Sequence, residues 1–212
     1  ANIAHGCNSV IATKMGCKLA DYMVTEAGFG ADLGAEKFVD IKCRMSGLRP
    51  NAVVLVATIR ALKYNGGVPK AELNNENLEA LNKGIPNLLK HIENITTVYH
   101  LPAVVAINKF PSDTAAELEL VENKCRELGV NVALTDVWGR GGAGGEALAK
   151  EVIRLSEGRS TMEFVYDTNL PIKEKIEAIA ARVYGADGVE FAPKALKEMK
   201  NLESLGYGNL PV

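Results

Sequence analysis

Residues 138–145 read WGRGGAGG and place Gly139-x-Gly141-x-x-Gly144 between a strand-like run and a helical pattern. That spacing has the form of a dinucleotide fingerprint, in which backbone amides at a helix start hold an anion. It is a weak signal, because glycine-dense loops meet it by chance and this one follows a late strand. Trp138 is the chain's single tryptophan, and at a strand exit it reads as a stacking platform or as a half-buried packing residue. Residues 106–113, AINKFPSD, approach the guanine-reading N-K-x-D element but carry Pro111 where Asp belongs. The chain contains no G-x-x-x-x-G-K-[ST], so a complete GTPase is excluded. Phe110-Pro111 offers a planar ligand a flat apolar face instead.

Two further clusters stand out. In TEAGFGADLGAEKF (25–38), Phe29 sits among Gly28, Gly30 and Gly34, either as a pocket wall or as a core residue of an ordinary turn. In VATIRALKYNGG (56–67), an apolar run ends in Arg60 and Lys63 before Gly66-Gly67. Cations there are usually solvated surface residues, but at a strand exit they suit an anion or a carboxylate. Cys7, Cys17, Cys43 and Cys125 form no C-x-x-C pair and match no zinc spacing, which reads as reduced structural thiols. His5 beside Cys7 lacks a third partner for nucleophilic chemistry. No metal ligand set and no catalytic residue is assigned.

These residues need elements to carry them. Strands are expected over 21–28, 52–59, 102–110, 131–137 and 163–167, and helices over 72–95, 114–129, 144–158, 171–185 and 193–203. Thr114 with Glu117 forms a capping box, and Pro171 marks a first turn. Alternating strand and helix predicts an α/β fold with mainly parallel sheets and helices on their faces. Such sheets bind ligands at the carboxyl ends of their strands. The stretches to interrogate are therefore Glu26–Asp32, Thr58–Gly67, Asn108–Asp113, Asp136–Gly145 and Asp167–Asn169. A domain boundary is expected near Tyr99–Pro102, giving 1–100 and 101–212.

The chain has 212 residues, 47% hydrophobic, with a net charge of -2. That is enough apolar surface for one large or two small cores. No basic stripe points to nucleic acid, and no apolar run reaches membrane-spanning length. The opening ANIAHGC lacks Met and a signal peptide, and reads as the interior of a longer, cytoplasmic chain.

Taken together, VATIRALKYNGG, ANIAHGCNS, TEAGFGADLGAEKF, HIEN, VVAIN, YGADGV and SLGYGNLPV resemble the formate–tetrahydrofolate ligase family, in the same order. GGVPKAELNNENLEAL (66–81) is similar to its bacterial monofunctional form. The resemblance implies a fold like that of P-loop NTPases, here without the phosphate-loop segment, so that the chain is a central fragment. Residues 1–100 would end the nucleotide-binding domain, and 101–212 would carry part of the folate pocket. It implies that ATP, with Mg2+, phosphorylates formate to formyl phosphate, and that tetrahydrofolate takes up the formyl group. It also implies a monovalent cation (K+ or NH4+) and a cytoplasmic homotetramer. By the same resemblance, Phe110 and Trp138 enclose the pterin, while Pro111, Leu134 and Phe29 line the pocket. The family gives Arg60 and Lys63 no firm role. Two other functions compete: a non-catalytic folate- or nucleotide-binding module, and a nicotinamide-dependent oxidoreductase built on the Gly139 loop.

Overall fold

The computed structural model describes residues 7–212. In chain order its α-helices and strands are α1 (Val10–Leu19), α2 (Ala35–Lys37), α3 (Arg44–Ser46), β1 (Val53–Ala57), α4 (Ile59–Asn65), α5 (Leu78–Glu93), β2 (Ala103–Asn108), α6 (Ala115–Glu127), β3 (Asn131–Thr135), α7 (Val137–Arg140), α8 (Glu146–Ser156), α9 (Ile172–Arg182) and α10 (Pro193–Ser204). Wider π-helical turns, Gly30–Gly34 and Phe38–Cys43, run directly into α2 and α3. The described chain forms two compact units, one of residues up to Arg49 with Glu163–Val212, the other Pro50–Met162.

The second unit holds the sheet. Its three strands are parallel in the order β1-β2-β3, with Leu55 opposite Val105 and Val105 opposite Val132. The central strand β2 is buried from Ala103 to Ile107, as its unbroken apolar run requires. β1 alternates, with Leu55 and Ala57 buried and Val54 and Val56 exposed. The expected division at 100/101 falls inside this unit, where the Leu101 amide donates to the Ile95 carbonyl at 2.9 Å and the Val53 amide to that of Pro102 at 2.9 Å.

The apolar run at 52–59 ends earlier than expected. The Thr58 hydroxyl accepts from the Ala61 amide at 3.1 Å, caps α4, and turns the last part of the run into a helix. α4 then packs backbone-to-backbone on α5. A Cβ at Gly66 would collide with the Ala80 carbonyl, and one at Gly84 with the Leu62 carbonyl. Gly67, at φ 95°, carries the chain away in a conformation only glycine adopts easily. The paired glycine therefore serves helix packing and chain reversal.

The first unit corrects two expectations: neither 21–28 nor 163–167 is a strand. Side chains take the backbone groups that a ladder would have used. The fully buried Asp40 carboxylate accepts from the Val165 amide at 3.0 Å. Arg44 donates to the Tyr166 carbonyl at 2.7 Å and stacks 3.9 Å from the Phe164 ring, while Arg182 donates to the Val165 carbonyl. At 21–28, the Asn8 side-chain oxygen accepts from the Thr25 hydroxyl and, at 3.4 Å, from the Glu26 amide. Cys7, Cys43 and Cys125 are buried thiols and Cys17 is exposed; His5 lies outside the described residues. Burial pushes the Cys43 thiol up to about 12 and Cys125 to about 11, which keeps both unreactive at neutral pH.

Candidate substrate-binding site

The carboxyl edge of the sheet is assembled by register. Asn108 pairs with Thr135, so Phe110 and Trp138 leave adjacent strands at the same edge, two and three residues beyond that pair. The ladder extends one step further, with the Lys109 amide donating to the Thr135 carbonyl at 3.0 Å.

The turn after β2 fixes Phe110. Its amide donates to Asp113 Oδ2 at 2.8 Å, and the Asp113 amide returns a bond to the Phe110 carbonyl at 3.0 Å. This leaves Phe110 39% exposed beside the exposed Pro111. The Arg60 guanidinium lies 5.8 Å from that ring and donates to the Asn74 side-chain oxygen. Arg60 is thus a cation posted on an aromatic wall. Asp113 itself is buried and its Oδ1 has no hydrogen-bond partner. Burial, together with the nearby Glu117, raises its carboxyl against the pull of the Phe110 amide.

The turn after β3 is built from its glycines. Asp136 caps α7, accepting from the Gly139 amide at 3.3 Å, and its own amide donates to the Gly144 carbonyl at 3.2 Å. Gly144 lies so near the Asp136 carbonyl that a Cβ would collide with it. At least part of the glycine spacing is therefore spent on closing this loop upon itself. The loop presents Trp138, 88% exposed, and leaves Leu134 half-exposed on β3. Within this chain the indole is open rather than packed.

Two predicted residues stand elsewhere. Lys63 does not face the edge. It is fully buried, 2.8 Å from Glu117 Oε1, and donates to the Asn75 carbonyl at 2.8 Å. A four-carbon stem pointing into the core hides the ammonium, and a buried ammonium requires a carboxylate. Phe29 is wholly exposed, but it belongs to the other unit, where it precedes the turn Gly30–Gly34. Sequence reasoning gave Asp113 no role of its own and missed Asn74 and the inward role of Glu117. The capping box was the one signal for Glu117: Thr114 Oγ1 accepts the Glu117 amide at 3.3 Å and Glu117 Oε2 accepts the Thr114 amide at 3.2 Å.

Three parallel strands in chain order, joined by helices and ending in aromatic and cationic side chains, define an α/β protein of the nucleotide-binding type. The sequence profile of the formate–tetrahydrofolate ligase family matches residues 1–212, and the chain belongs to that family. That membership makes formate, tetrahydrofolate and ATP the relevant small molecules and ligation the reaction class. Among the described residues no helix is long and apolar enough to cross a membrane.

Proposed function

We propose that the edge formed by Phe110, Pro111, Leu134 and Trp138 holds the pterin of tetrahydrofolate, in an enzyme that makes 10-formyltetrahydrofolate through formyl phosphate. ATP, as its Mg2+ complex, transfers its γ-phosphoryl group to formate and leaves as ADP. The N10 amine then attacks the formyl carbon, and inorganic phosphate departs as the C–O bond breaks. The chain's own contribution is to bind and orient the folate at that step. The two aromatic side chains exclude water from the ring faces, and Arg60 offers its charge to an anionic group of a substrate. Phe29 is carried over as a folate residue from the family resemblance alone.

Phe110, Pro111, Leu134 and Trp138 lie in 101–212, the stretch read as the folate domain, and Arg60 in 1–100, read as the end of the nucleotide-binding domain. Among the described residues no group of three or more His, Cys, Asp or Glu side chains could hold a metal ion. K+ or NH4+ is carried over from the family resemblance, with no residue assigned to it. None is assigned to the ATP phosphates. A homotetramer in the cytoplasm is the setting this reading carries over from the family resemblance.

One observation supports the reading most: adjacent parallel strands deliver an exposed indole and a half-exposed phenyl to one sheet edge. Stacking on an aromatic ring is worth about 1–3 kcal/mol, by analogy with nucleic-acid bases. Trp138→Ala in an active enzyme carrying this sequence should therefore raise KM for tetrahydrofolate roughly 5- to 150-fold, with a smaller change for formate. Fluorescence of Trp138 should also be quenched by folate. Unchanged folate kinetics would remove Trp138 from the site.

A further inference from the structure

We infer that Glu117, which no substrate need touch, is a positioning residue that sets the geometry of the aromatic wall through a closed ring of contacts. The inference rests on the reading of Phe110 as a wall of the folate site.

A capping-box glutamate ordinarily sits on a helix surface and serves one backbone amide. Glu117 is fully buried and serves three donors from three elements. These are the Thr114 amide at 3.2 Å in the turn after β2, the Asn77 amide at 3.1 Å at the start of α5, and the Lys63 ammonium at 2.8 Å on α4. Lys63 also donates to the Asn75 carbonyl at 2.8 Å, and the neighbouring Asn74 takes the Arg60 guanidinium. Arg60 stands 5.8 Å from the Phe110 ring. Asp113, next to Thr114, holds the Phe110 amide at 2.8 Å. The ring closes: Glu117 to Thr114 and Asp113, to Phe110, to Arg60, to Asn74 and Asn75, to Lys63, and back to Glu117.

The ionic character of this ring points to geometry rather than stability. Buried ion pairs are often matched or bettered in stability by apolar residues of similar volume. What an apolar pair cannot do is hold two backbone amides and an ammonium at fixed angles. The three anchored amides and carbonyls (Thr114, Asn77, Asn75) belong to the two loops that border Phe110 and Arg60. A shift of the wall by about 1 Å is enough to lose much of a site's effectiveness.

The test is Glu117→Gln in the active enzyme, beside the paired variant Lys63→Met/Glu117→Met and the control Phe110→Ala. Glutamine keeps the size but replaces one accepting oxygen with an NH2 group, a donor that faces other donors. The expected result is a rise on the order of tenfold in KM for tetrahydrofolate, and in its Kd by calorimetry, with kcat and KM for ATP and formate within about twofold. The paired variant should show the same folate defect while its Tm stays near that of wild type. It is also the deciding measurement if Glu117→Gln does not fold. Folded variants with wild-type folate Kd, or with all three KM values and kcat altered alike, overturn the inference. If Phe110→Ala weakens folate but the glutamate variants do not, only the positioning role falls. If Phe110→Ala leaves folate binding unchanged, the wall itself falls.

Discussion

Two buried carboxylate clusters, one in each unit, face the same problem and solve it in opposite ways. Glu117 in the sheet unit has an ammonium and two amides in hand, and these outweigh burial and hold its carboxyl below the usual range. Glu36 and Asp40 lie one helical turn apart in the other unit, and each has a buried oxygen without a hydrogen-bond partner. Burial, with Asp40 as a like-charged neighbour, pushes Glu36 up to about 7, although Lys37 and Arg44 pull the other way. Burial likewise pushes Asp40 up to about 6, against the Val165 amide and an Arg44 ion pair at 2.8 Å. The difference teaches that depth alone does not set proton affinity. Burial is weighed against the donors and charges that face the oxygens.

The largest expected effect comes from breaking the satisfied cluster. Lys63→Met strands a fully buried carboxylate and should cost about 3–5 kcal/mol in denaturant unfolding, whereas the paired Lys63→Met/Glu117→Met variant should recover most of it. A loss under about 1 kcal/mol for the single variant would mean that Glu117 does not depend on its ammonium.

A smaller effect belongs to Glu36 and Asp40, each with one oxygen unbonded, and it is lost as pH rises. Both acids have folded values above their unfolded ones, so the stability they contribute is complete below the unfolded values near 4. It drains away as pH climbs through about 6 for Asp40 and about 7 for Glu36. Unfolding curves between pH 5 and 8 should show the protein weakening as pH rises, and Glu36→Gln should flatten that slope. A slope unchanged in the variant would place the titration elsewhere. The smallest effect marks the solvent-exposed limit of the comparison. Glu79 and Lys83 pair at 2.6 Å on the open face of α5, and Lys83→Ala should leave Tm within measurement error.

Much of the sheet was legible because β2 is apolar from end to end and each strand run is followed by a helical period. The capping box at Thr114 located α6 to within a residue of its start. The helical stretch beginning at Gly30 was not legible. Gly28, Gly30 and Gly34 look like a flexible ligand loop, yet Gly34 packs so tightly on the Gly28 carbonyl that no side chain fits. Segment 163–167 has strand composition, but its hydrogen bonds go to Asp40, Arg44 and Arg182, partners that local pattern cannot reveal. Phe110 and Trp138 were legible as strand exits. The inward turn of Lys63 was not, because a lysine's direction depends on a glutamate supplied by a distant helix.

The contact of α4 with α5 through Gly66 and Gly84 has a mechanical consequence. Where side chains separate two helices, rotamer changes absorb small displacements before they spread. Here backbone meets backbone, and that cushion is missing. A displacement of α5 is therefore passed on to α4 undamped, and with it to Arg60 one residue into that helix. The long helix acts as a stiff lever on the cation beside Phe110, so amide exchange in α4 and α5 should slow or quicken together.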